Sequence, residues 1–148
     1  ISGNTPDRFA SPFGIVVETN FSLYVADSLN NRIQFFQPGQ LNGTTVAGNG
    51  APGTVNLTNP NFIALDGSGY LYILEFPFGR LWGSGPSGFR CVAACTGFPG
   101  PLANRLSQPS NFAFDSFGNI FVSDMGNARI QRFNLATNSC GKLFELRT

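Results

Sequence analysis

The sequence predicts an all-β chain built from three consecutive units of about four short strands. Three observations carry this expectation. A fixed spacing of marker residues recurs along the chain. Short apolar runs are bounded by turn residues. No stretch shows the 3.6-residue periodicity of an amphipathic helix. Only 11% of the 148 residues are charged, against about 25% in an average soluble domain, and Phe occurs 16 times. Such a composition implies large apolar faces that neighbouring elements must cover.

The repeat is read from three markers. Pro12, Pro60 and Pro109 are separated by 48 and 49 residues, as are Asp27, Glu75 and Asp124, and Arg32, Arg80 and Arg129. Within every unit the proline precedes the acid by 15 residues and the acid precedes the arginine by 5. The connections repeat too. Val46-Ala47-Gly48 leads into a Gly-, Pro- and Asn-rich link before Pro60, Ala93 to Gly97 into a similar link before Pro109, and Ile1-Ser2-Gly3 stands in that place before Pro12. The chain is therefore expected to open at the tail of a preceding unit.

In the first unit, strands are expected at 14–18, 23–26, 32–37 and 44–47, joined by turns of Asn, Gly, Ser and Pro that supply positive or preset φ. In the second, Asp66-Gly67-Ser68-Gly69 is a hairpin turn between strands at 62–65 and 70–74. In the third, residues 115–119 do the same, and a last strand is expected at 141–146. Four strands per period of about 45 residues is the pattern of a β-propeller blade. The expected blades cover about 11–48, 59–97 and 108–148, as one segment. Natural rings hold about four to eight blades, so three leave two open faces. Further blades, or other copies in a ring or filament, would cover them. Alone, the piece is not expected to be a stable monomer.

The run Pro12-x-Gly14-Ile15-x-Val17, then Leu23-Tyr24-Val25-Ala26-Asp27, then Asn30-Asn31-Arg32-Ile33-Gln34-x-Phe36 resembles the NHL repeat. Residues 119–124 and 127–131 match it nearly as well. The second unit departs, with Glu75 for Asp, Phe76-Pro77-Phe78-Gly79 for the Asn-rich turn and Leu81-Trp82 for Ile-Gln. The resemblance implies four-stranded antiparallel blades around a central axis. It also implies that Asp27, Glu75 and Asp124 end a second strand while Arg32, Arg80 and Arg129 begin a third. Each pair is expected to fix its connecting turn, with the about 0–1 kcal/mol of an exposed ion pair. A ring of binding groups is the alternative. NHL propellers serve unrelated functions, so fold alone does not give one.

Composition excludes several activities. There is no His, which removes Ser-His-Asp and Cys-His chemistry and any His-bound metal. A single Lys and a net charge of +1 give no surface for nucleic acid. No apolar run reaches the roughly 18 residues of a membrane span.

Three glycosylation acceptors, Asn20, Asn42 and Asn56, fall in expected loops, two at one end of the blade and the third in a link at the other. The alternative is that Asn simply suits turns. Cys91 and Cys95 can bridge only if the chain between them bends, because four residues of straight strand span about 13 Å. Otherwise one of them pairs with Cys140 or outside the chain. Phe76, Phe78 and Trp82, near turns, could stack on sugars or anchor a protein partner. Asp66, Asp115 and Glu18 share one repeat position and could hold Ca²⁺, although the Asp-Gly-Ser-Gly turn already accounts for Asp66. No other cofactor is expected. The resulting expectation is a non-catalytic, extracellular structural or interaction protein. A glycan- or protein-binding module and a Ca²⁺-dependent propeller hydrolase are the alternatives.

Overall fold

The computed structural model describes residues 2–134. They form three antiparallel sheets in chain order. The first contains β1 (Pro12–Val17), β2 (Leu23–Asp27), β3 (Arg32–Phe36) and β4 (Thr44–Gly48). The second contains β5 (Pro60–Leu65), β6 (Leu71–Glu75), β7 (Leu81–Gly83) and β8 (Arg90–Ala93). The third contains β9 (Pro109–Phe114), β10 (Ile120–Asp124) and β11 (Arg129–Phe133). The strand expected at 141–146 lies outside the described residues. Each sheet pairs its strands in sequence order, the up-and-down arrangement of a blade. The blades meet along their first strands, with β1 against β5 and β5 against β9. These three strands therefore face the axis.

Side chains alternate between two faces of each blade, as strand geometry requires. One face packs forward on the next blade and the other backward on the preceding one. The forward face of blade 1 places Ala26, Ile33 and Ala47, with Val16 and Tyr24, against the backward face of blade 2, formed by Ile63, Leu71 and Ile73 with Leu65 and Trp82. The forward face of blade 2 offers Tyr72, Leu74 and Leu81 to Phe112, Ile120, Val122 and Phe133 of blade 3. Aromatic edges tighten this second seam: Phe62 meets Phe112 at 5.1 Å and Tyr72 meets Phe114 at 4.9 Å between ring centroids. The links plug the seams, Leu57 into the first and Leu106 into the second.

Glycine allows the close approach of β1 to β5. A Cβ at Gly14 would stand 2.8 Å from the Asn61 carbonyl oxygen and 3.1 Å from the Phe62 Cα. The residues before the three prolines, Ser11, Asn59 and Gln108, all have left-handed backbones with φ of 51°, 51° and 48°. They turn each link into its inner strand. Among the described residues no helix is long and apolar enough to cross a membrane.

Candidate functional site

At one end of each blade the acid closing the second strand is buried and fully hydrogen-bonded. Asp27 accepts from the Ala10 N–H at 2.7 Å, Asn30 Nδ2 at 2.8 Å and Arg32 Nε at 2.7 Å. Arg32 in turn donates to the carbonyls of Asn4, Thr5 and Arg8 at 2.8–2.9 Å. Blade 3 repeats this. Asp124 accepts from Ser107 N–H, Asn127 Nδ2 and Arg129 Nε, and Arg129 reaches the carbonyls of Pro101, Leu102 and Arg105. In blade 2, Glu75 accepts from Thr58 N–H and Arg80, whose guanidinium also lies 5.4 Å over the Trp82 ring. The sequence suggested an exposed pair acting on its own turn. Instead the carboxylate is completely buried in all three blades. In blades 1 and 3 the arginine ties down the preceding link. The pairs are clasps between turn and link, and their carboxylates are committed to the fold.

The acids at the opposite end are also engaged locally. Asp66 accepts from the N–H groups of Ser68 and Tyr70 at 2.8 and 3.0 Å. Asp115 accepts from those of Phe117 and Asn119, and from Asn119 Nδ2 at 2.7 Å. The Asn119 side-chain hydrogen bond, with the backbone ones, lowers the Asp115 carboxyl from its ordinary value. Glu18 closes its turn through main-chain bonds with Ser22 and Phe21. Among the described residues no three His, Cys, Asp or Glu gather where they could hold a metal ion.

The aromatic candidates separate. Trp82 lies in β7, not in a loop, and packs in the seam between blades 1 and 2. This corrects its reading as an exposed anchor: its ring is partly buried against the core of that seam. Phe76 is half-buried and Phe78 is exposed, in a turn with a cis Phe76–Pro77 bond. Cys91 and Cys95 form a disulfide with Cα atoms 5.7 Å apart. Ala94, at φ 52°, bends the chain between them just beyond β8. Cys140 lies outside the described residues. Asn20, Asn42 and Asn56 are all exposed. The first two sit in the β1–β2 and β3–β4 turns and the third in the link, between buried Val55 and Leu57.

One feature of the inner strands was not read from the sequence. Each inner strand bulges just after its proline. Pro12, Pro60 and Pro109 pair with Asp27, Glu75 and Asp124, and the register then skips residues 13–14, 61 and 110. Bulges of this kind re-aim side chains at rims and sites. The residues set there are Phe13, Asn61 and Ser110, an aromatic, an amide and a hydroxyl at one repeat position. Phe13 is 70% exposed, and Ser110 is exposed. Asn61 is 8% exposed and donates across to the Pro109 carbonyl of blade 3, leaving its buried Oδ1 without a partner. These three form the axial lip at the clasp end.

No protein-family model matches the sequence, and no curated protein matches it. Solved structures do resemble the fold. Virginiamycin B lyase from Staphylococcus aureus aligns with a TM-score of 0.58 at 15% identity, over 90% of this chain and 44% of its own. A streptogramin B lyase aligns at 0.58 and 14%, over 92% of this chain and 44% of its own. A putative gluconolactonase aligns at 0.61 and 17%, over 88% and 47%. The chain thus spans less than half the length of these structures. The expectation of a non-catalytic role is corrected by this comparison, because the propellers it resembles are enzymes or named as such. That expectation rested on catalytic sets sought within 148 residues, whereas a propeller gathers its site from blades all round the axis. The likeness establishes that the chain has the β-propeller fold and contains part of a ring.

Proposed function

We propose that the chain is about half of an enzyme-type propeller. It contributes three NHL-like blades to the wall and Phe13, Asn61 and Ser110 to the mouth of the axial channel, where a small ligand binds. The carrying observation is the lip itself: three bulged, equivalent positions that follow the repeated prolines and bear three unlike side chains. The NHL assignment is supported by the buried clasp, which recurs in register in blades 1 and 3. The resembling lyases and putative gluconolactonase suggest the substrates to try first. The test is turnover of virginiamycin B and of gluconolactone by the complete ring, with Phe13→Ala, Asn61→Ala and Ser110→Ala. The reading expects losses of tenfold or more in lip variants that still fold. Wild-type turnover in all three variants, or none by the complete ring, refutes it.

A second reading is a Ca²⁺-dependent propeller hydrolase, of which the likeness to a putative gluconolactonase supports the hydrolase part. It predicts that added Ca²⁺ raises lactone hydrolysis and that chelation abolishes it. An extracellular setting is part of the proposal, supported by the Cys91–Cys95 disulfide and the three exposed acceptor asparagines.

A further inference from the structure

The two outer blade faces are built like the buried ones. Ile33 and Leu81 occupy one repeat position on the forward faces of blades 1 and 2, and both are 0% exposed. Ile130 holds the same position in blade 3 and is 67% exposed. Ile63 and Phe112 share a position on the backward faces of blades 2 and 3, at 2% and 4% exposure, while their counterpart in blade 1, Ile15, is 64% exposed. Val17 beside it is 55% exposed. An apolar groove of about 340 Å³ opens there, lined by Phe9, Phe21, Leu23, Val25, Phe36 and Leu41. Phe9 stands where Leu57 and Leu106 plug the two internal seams.

The open faces also match each other. The forward face of blade 3 presents Ala113, Phe121, Ser123 and Ile130 where blade 1 presents Val16, Tyr24, Ala26 and Ile33. Both follow the order small, aromatic, small, Ile. The backward face of blade 1 presents Ile15, Val17, Leu23 and Val25 where blade 2 presents Ile63, Leu65, Leu71 and Ile73. The missing seam would therefore reproduce the one between blades 1 and 2. The chain spans 44–47% of the resembling ring proteins, so three blades fill about half a turn.

We propose that the backward face of blade 1 takes the forward face of blade 3 from a second copy of this chain, and that two such seams close a ring. This rests on the half-ring reading above. A closed pair has a twofold axis along the channel, although each seam joins unlike faces.

Sedimentation equilibrium of the unglycosylated 148-residue chain tests it, with folding checked by far-ultraviolet circular dichroism. The wild type is expected at twice the chain mass, with Ile130→Glu and Ile15→Glu each at the chain mass. Val17→Glu replaces Ile15→Glu if that variant does not fold. Mixing the two folded variants should restore a pair through the one intact seam. A folded wild-type monomer overturns the proposal and leaves the half-ring reading standing, with further blades as the cover. A pair that survives Ile130→Glu overturns it in favour of like-face docking. Growth beyond two copies overturns closure.

Discussion

Replacing Asp27 by Leu should be among the most damaging single changes in the chain. Its carboxylate is fully buried, and Arg32 beside it is only 8% exposed. Removing the acid strands a buried guanidinium, which costs about 3–5 kcal/mol. For a chain of this size 1 kcal/mol moves the melting temperature by roughly 2–4 °C, so the expected drop is about 6–20 °C. Asp7 and Arg8 provide the contrast: they lie 4.0 Å apart and are about half exposed. Asp7→Asn should melt close to the wild type. The double variant Asp27→Leu, Arg32→Met separates two roles. If the pair acted only on its own turn, exchanging both charges for apolar groups would return stability to near wild type. If it clasps the link, the Ala10 N–H and the carbonyls of Asn4, Thr5 and Arg8 lose their partners. A loss of about 1–3 kcal/mol then remains. Thermal denaturation of the four proteins side by side decides it, and a double variant melting with the wild type refutes the clasp.

Gly14→Ala should cost about 1–3 kcal/mol by forcing β1 away from β5, seen as a lower denaturation midpoint. The Tyr72 phenol is pushed up to about 12 by burial, with a smaller contribution from Asp66. Its folded value lies above the ordinary value of 10, so its contribution to stability is complete below pH 10 and is lost as the pH rises through 12. Burial raises Tyr24 as well, so absorbance titration should show Tyr72 ionising last of the tyrosines until the fold is lost. Expressed through a eukaryotic secretory pathway, the chain should carry N-linked glycans on Asn20, Asn42 and Asn56. Peptide N-glycosidase should reduce its mass, and an unchanged mass contradicts the extracellular assignment.

The repeat was legible because each marker does a job that only its residue type can do. The proline opens an inner strand, the acid accepts link and turn donors, and in blades 1 and 3 the arginine forks onto three carbonyls. Their spacing therefore carries the blade boundaries directly. The depth of the clasp was not legible, since the link atoms it binds, such as Asn4 O and Ala10 N, show no side-chain signal. Trp82 was misplaced because β7 has only three residues and leaves little alternation to read. The lip at Phe13, Asn61 and Ser110 was not legible because those residues differ between units and a backbone bulge leaves no residue-type signature. The left-handed residues before the prolines gave no warning either: Ser, Asn and Gln are ordinary there by type. The likeness to enzymes could not come from the chain's own inventory of acids and missing His, because it is a likeness of backbone shape at 14–17% identity.

Hydroxyl-radical footprinting of side chains over a range of protein concentrations shows whether the outer faces of blades 1 and 3 are seams or surface. As seams, they should show labelling of Ile15, Val17 and Ile130 that falls with concentration toward that of buried Ile63 and Ile33. Phe117 and Phe98, at 80% and 68% exposure, should stay labelled throughout. If Ile15 and Ile130 remain as reactive as Phe117 at every concentration while the chain is folded, these faces are surface and the account is wrong.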